Sequence, residues 1–162
     1  MKAYQIFARM SPERAVVLMD ELAESAPAVY TQAIAAASAV MKARPKFMMS
    51  LPADKRAHMV RRSLARVAST ALAEEVLASY FLGPKKALLI EWLDVLGIAH
   101  EDGALQEDRP PSPPEADLGK AVESFRKTEE ADDRELLLAA FAAQTAIDWP
   151  LLDALVEAGA AS

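Results

Sequence analysis

Apolar residues recur at helical spacing along most of the chain, and prolines and glycines punctuate the pattern. From 52 to 82, Ala57, Val60, Leu64, Val67, Ala68 and Ala71 form one apolar stripe, the mark of a helix with one face on a core. At ~100° per residue, Lys55, His58, Arg62 and Arg66 fall on the opposite side. The pattern predicts one long helix over 52–82, with its more apolar half, Leu72 to Leu82, as a central buried rod.

Further helices are predicted over 2–9, 12–24, 27–43, 84–97, 113–127, 133–147 and 149–158, with a single turn over 45–50. Pro12, Pro27, Pro45, Pro52, Pro84 and Pro150 stand at segment starts, where a missing N–H costs little. Gly83, Gly97 and Gly159 follow apolar runs, where a left-handed residue ends a helix most cheaply as glycine. Ser11, Ser25, Ser50 and Asp148 are candidate N-caps, and Asp132 with Glu135 and Ser112 with Glu115 fit capping boxes. No stretch alternates strictly between hairpin turns. Asp102-Gly103 is a turn signal without a flanking strand pattern.

The fold class is therefore all-α: a single-domain bundle of about seven helices. Residues 1–105 form an N-terminal helical core, 106–117 a connector and 118–162 the C-terminal helices. The connector reads QEDRPPSPPEAD, whose four prolines and five charges imply an extended, polyproline-like segment. The 45 residues beyond it are too few for a dependable core of their own. They are expected to pack on the N-terminal helices, or on a second subunit in a swapped arrangement. The 34 alanines among 162 residues favour helices with closely approaching axes. Trp92, Phe81, Phe125, Phe141 and Trp149 are the candidate core anchors.

Charge changes the picture. The net charge is -6, yet Lys42 to Arg66 holds eight basic residues and one acid, whereas Glu91 to Glu135 holds 14 acids and five basics. Three explanations compete: a solvated or internally neutralised face, pairing of opposite patches between subunits, and nucleic-acid binding through the basic face of the 52–82 helix. The last is disfavoured by the sequence pI near 5.0 and by Phe47 being the only aromatic in the basic segment.

The chemistry-bearing residues are few. With no cysteine, disulfides, thiolate nucleophiles and Cys-ligated metals are excluded. His58 and His100 lie far apart, without the spacing of a helical metal site. His100-Glu101-Asp102 reads as a cap and turn, with weak cation binding as the sharper alternative. Adjacent acids such as Glu74-Glu75 do not face each other on a helix. Glu74 and Glu75 interrupt an apolar stretch, and Arg61, Lys85 or Lys86 are their expected partners. No catalytic, cofactor-binding or metal site emerges, and no cofactor is implied.

The stretch PKFMMSLP reads either as a connector plugging the core or as an exposed apolar patch rimmed by Lys42, Arg44, Lys46 and Arg56. Phe47, Met48, Met49 and Arg56 are the candidate partner-binding residues; Lys55, His58, Arg62 and Arg66 form the candidate basic face. The leading expectation is a non-catalytic protein-interaction module that forms a homodimer. An apolar-ligand bundle, with a pocket lined by Phe47, Met48, Met49 and Phe81, is the third reading. The uncharged run Ser25 to Met41 is short and weakly apolar for a membrane span, and Arg9, Glu13 and Arg14 break any leader-like stretch. A cytoplasmic setting without membrane contact is expected.

Overall fold

The computed structural model describes residues 1–161. Among them are ten α-helices and one short hairpin: α1 (Ala3–Arg9), α2 (Pro12–Ser25), α3 (Pro27–Met41), α4 (Pro45–Ser50), α5 (Ala53–Leu64), α6 (Thr70–Leu82), α7 (Lys86–Leu96), β1 (His100–Glu101), β2 (Ala104–Leu105), α8 (Glu115–Phe125), α9 (Ala131–Ala143) and α10 (Pro150–Ala160). The chain is all-α, with three helices after the Pro-rich stretch. It divides into two compact units: an N-terminal unit, Lys2–Pro84, and a C-terminal unit from Lys85 onward that also takes in Met1.

The ten helices exceed the eight segments predicted as helical, and the overall figure of about seven, for two reasons. The predicted turn over 45–50 closes into α4, and the predicted 52–82 helix is two. The basic half ends at Leu64; Arg66 is extended (φ -90°, ψ 142°) and a 3-10 turn spans Val67–Ser69. The stripe reading fails beyond this point: Val67 is 70% exposed, and Ala68 and Ala71 also face outward. Ala73, Val76, Leu77, Tyr80 and Phe81 are buried instead. Ser69, Thr70 and Val67 are weak helix formers, and the Thr70 hydroxyl donates to the Val67 carbonyl at 2.6 Å. The bend presents a different side of the chain to the core. α6 then packs on α1, α2 and α3, while α5 lies against α1, α2 and α3.

Several predicted end signals act differently from expectation. Ser11 does cap α2, accepting from Arg14 N at 3.1 Å, and Gly97 ends α7 with φ 70°. Ser25 and Ser50, however, are the last residues of α2 and α4. Their hydroxyls donate back to Glu21 and Phe47 carbonyls, the alternative use of a short polar side chain near a helix end. The caps of α8, α9 and α10 are Pro114, Glu130 and Trp149, so neither proposed capping box forms and Asp148 is not a cap. Gly83 does end α6, but with φ -111°. Gly159 lies inside α10, where a Cβ would collide with the Arg126 guanidinium.

The absence of strands also needs correction. β1 and β2 pair antiparallel, His100 with Leu105 and Glu101 with Ala104. Asp102 (φ 52°) and Gly103 (φ 90°) form the two-residue turn, and positive φ at both positions suits the twist of a hairpin.

All five predicted anchors are buried. In the C-terminal unit four of them form a chain of ring contacts. Trp92 meets Phe125 at 5.2 Å and Phe141 at 6.0 Å, and Phe141 meets Trp149 at 5.6 Å. The Trp149 indole N–H donates to the Pro110 carbonyl at 3.0 Å, which ties the Pro-rich stretch to the residue that opens α10. Polar ties reinforce the rings. Arg134, 5% exposed, grips both carboxylate oxygens of Glu91 at 2.9 and 3.0 Å and lies 4.8 Å over the Phe125 ring. Lys127 adds a contact to Glu91 at 3.0 Å.

The Glu91 carboxyl is held below its ordinary range chiefly by its hydrogen bonds to Arg134; partial burial opposes this and Lys127 assists. Its stabilising contribution is complete above the ordinary value of 4.5 and fades as pH falls through the lower folded value. Glu91→Gln should therefore flatten the acid limb of stability against pH below about 4.5. At neutral pH it should cost about 2 kcal/mol, because buried Arg134 loses its counter-charge. Urea unfolding across a pH series measures both effects.

Candidate functional site

The candidate interaction residues lie on the corner where α3 meets α4. α3 ends with Lys42 in the left-handed conformation (φ 54°), and Ala43 N closes the turn on Ser38 O at 2.9 Å. Pro45 then starts α4. This helix has six residues and buries one of them, Met48. On a helix the neighbours of an inward side chain point about 100° to either side. Phe47 and Met49 accordingly remain 53% and 50% exposed. At the end of α3, Val40 and Met41 are exposed as well. Four large apolar side chains thus face outward within residues 40–49, and the cations interspersed among them, Lys42, Arg44 and Lys46, are exposed too.

Arg56 holds this corner in place from α5. Its Nε donates to the Tyr30 hydroxyl at 2.8 Å, and its Nη1 donates to the carbonyls of Met49 and Leu51, both at 3.0 Å. A planar guanidinium reaches three acceptors at fixed angles, which an ammonium cannot do. Arg56, placed among the partner-binding residues from sequence, thus has an intramolecular role. The three candidates beside it divide by exposure, with Met48 inside and Phe47 and Met49 outside.

The basic face divides as well. Lys55 and Arg62 are exposed on α5, and exposed Arg66 lies beyond the helix end. His58 is half-buried, with Nδ1 3.5 Å from Arg61 Nη2. Lys55 and His58 also line an open groove of about 380 Å³, together with Pro12, Glu13, Val16, Asp54 and Met59. Its charges are of both signs. Of the residues assigned to an apolar pocket, Met48 and Phe81 are buried and Phe47 and Met49 exposed, and none of them lines this groove.

The remaining candidates are structural. The His100 ring is committed on both nitrogens: Nδ1 accepts from Gly103 N at 3.1 Å and Nε2 lies 2.7 Å from Asp94 Oδ1. Asp102 pairs with Lys86 at 2.7 Å. Only Asp102 of the expected cap and turn lies in the turn itself; His100 and Glu101 form β1, and Gly97 ends α7. Glu75 is exposed and Glu74 half-buried. Among the cations near them in sequence, Lys85 pairs with Asp133 at 2.8 Å, Lys86 pairs with Asp102, and Arg61 donates to the Met10 carbonyl at 2.9 Å. Among the described residues no group of three or more His, Asp or Glu side chains is arranged to hold a metal ion. No described helix is long and apolar enough to cross a membrane. The 27–41 segment is α3, with Tyr30, Ala33, Ile34, Ala37 and Ser38 buried.

No family model matches the chain, and no curated protein or solved structure is significantly similar to it.

The Arg56 staple escaped the sequence because its acceptors are a distant hydroxyl and two backbone carbonyls. Arg56→Lys should cost about 1–2 kcal/mol through lost hydrogen bonds. It should also speed amide hydrogen exchange over residues 47–53 more than elsewhere in the N-terminal unit.

Proposed function

We propose that this chain is a non-catalytic interaction module that self-associates in the cytoplasm through the α3–α4 corner. The observation that carries this reading is the exposure of four large apolar side chains, Val40, Met41, Phe47 and Met49, within residues 40–49, on a corner that Met48 and Arg56 anchor from within. Scattered exposed apolar residues are ordinary. Four within one short corner, with the cations Lys42, Arg44 and Lys46 interspersed among them, exceed ordinary scatter and offer apolar and charged contacts to a partner. Phe47 and Met49 each retain about half of their surface for a partner, worth roughly 1 kcal/mol apiece when buried. Their scaffold is ordered beforehand, which lowers the entropy cost of docking. The charge division between 42–66 and 91–135 supports pairing between copies, since opposite patches set register as well as attraction.

Sedimentation velocity over a concentration series tests the reading. The native chain is expected to shift from monomer to dimer as concentration rises. Phe47→Glu with Met49→Glu is expected to remain monomeric and to unfold cooperatively with a melting temperature only a few degrees lower, because about half of each side chain is already solvated. A native chain that remains monomeric at millimolar concentration would rule out self-association.

A further inference from the structure

We infer that the element seated on the α3–α4 corner is the Pro-rich strap, Gln106–Pro114, of a second copy of this chain. The inference rests on the self-association proposed above and names what each copy contributes.

The strap has the backbone of a ligand. The expected extended connector over 106–117 is shorter in the structure: residues 106–109 are a run of bends, 110–114 lie in neither helix nor strand, and α8 begins at Glu115. Pro110, Pro111, Pro113 and Pro114 lack N–H groups and fix φ near the polyproline value. Pro114 has φ -52° and ψ 148°, within that region. A segment of this kind cannot extend a sheet. It docks instead by laying its rings on aromatic and other apolar side chains. The strap is also held in advance, because Pro110 is buried and its carbonyl accepts from the Trp149 indole at 3.0 Å. Glu107, Asp108, Pro111, Ser112 and Pro114 remain exposed. A pre-ordered segment loses less entropy on binding than a free tail does.

The corner has the complementary surface. Phe47 supplies an aromatic ring, and Met41 and Met49 are flexible thioethers that adapt to ring edges. The charges also match in sign. Lys42, Arg44 and Lys46 alternate with the exposed apolar side chains, while Glu107 and Asp108, followed by Arg109, precede the strap prolines and Glu115 and Asp117 follow them, which leaves the strap and its flank net acidic. If each copy gives one strap and accepts one, the two contacts are related by a twofold axis and the assembly closes as a dimer. Opposite charges fix which end of the strap meets which end of the corner.

The test uses full-length chains and sedimentation equilibrium. Arg44→Glu/Lys46→Glu makes the corner acidic, and Glu107→Lys/Asp108→Lys makes the strap basic. All four side chains are exposed, so both variants should melt as the native chain does. Each alone should dimerise about tenfold more weakly, the scale set by two opposed charge pairs turned repulsive. An equimolar mixture of the two variants should restore dimers, because each acidic corner then meets a basic strap and each native corner a native strap. Putting all four substitutions in one chain should restore dimers as well.

If the strap variant dimerises like the native chain while Phe47→Glu/Met49→Glu does not, the corner remains an interface and the strap inference falls. A native chain that stays monomeric removes both readings. Binding of the monomer to vesicles containing anionic lipid, lost in the corner variant and without rescue on mixing, would assign the corner to a membrane surface and overturn the inference.

Discussion

A helix of six residues between two prolines has room to turn one large side chain inward. α4 gives that place to Met48, and the geometry of the helix then decides what happens on either side. Phe47 and Met49 cannot follow it into the core without unwinding the turn, and the Arg56 guanidinium holds the Met49 and Leu51 carbonyls where they are. The outward apolar surface is therefore a direct result of burying its neighbour. The short helix, the staple from α5 and the left-handed end of α3 together convert a connector into a fixed corner.

The C-terminal unit relies on a different device. Its aromatic anchors touch in series from Trp92 through Phe141 to Trp149, which gives helices of 11 to 13 residues a shared apolar spine. Arg134 is set against this spine with its charge matched by Glu91 and its plane over Phe125. Such a pair adds little net free energy compared with apolar packing, but breaking it leaves a charge stranded. Here it specifies how α7 and α9 meet. Arg126 does similar work, bonding Glu135 at 2.7 Å and the Leu155 carbonyl at 3.1 Å, and Gly159 leaves room for its guanidinium.

Much of this architecture was legible in the sequence where the determining physics is local. Proline at the starts of α2, α3, α4 and α10, Ser11 as a cap, Gly97 as a left-handed stop and the large aromatics as anchors depend on a few neighbouring residues, whereas Pro84 lies in the turn before α7. The bend after Leu64 was not legible. Val67, Ala68 and Ala71 continue the helical stripe, and only packing of α6 on α1, α2 and α3 reveals that another side is buried. The hairpin was missed for a related reason: two-residue strands are too short to show alternation, though Asp102-Gly103 marked their turn. At the candidate site, the unusual concentration of Met and Phe between Pro45 and Pro52 was visible, but not which of them turns inward. That choice depends on helix phase within one turn, and a residue of error in phase exchanges inside for outside. Arg56, grouped with the corner from its charge alone, became a staple only once Tyr30 was brought beside it.

The indole of Trp149 has a property that follows from its position. It meets Phe141 edge to face, precedes Pro150 at the opening of α10, and donates its N–H to the Pro110 carbonyl. Indole emission responds to the loss of such a bond and to the entry of water. Any event that lifts the strap from its seat is thus recorded optically by the residue that fastens it, and the chain carries a built-in reporter for the segment.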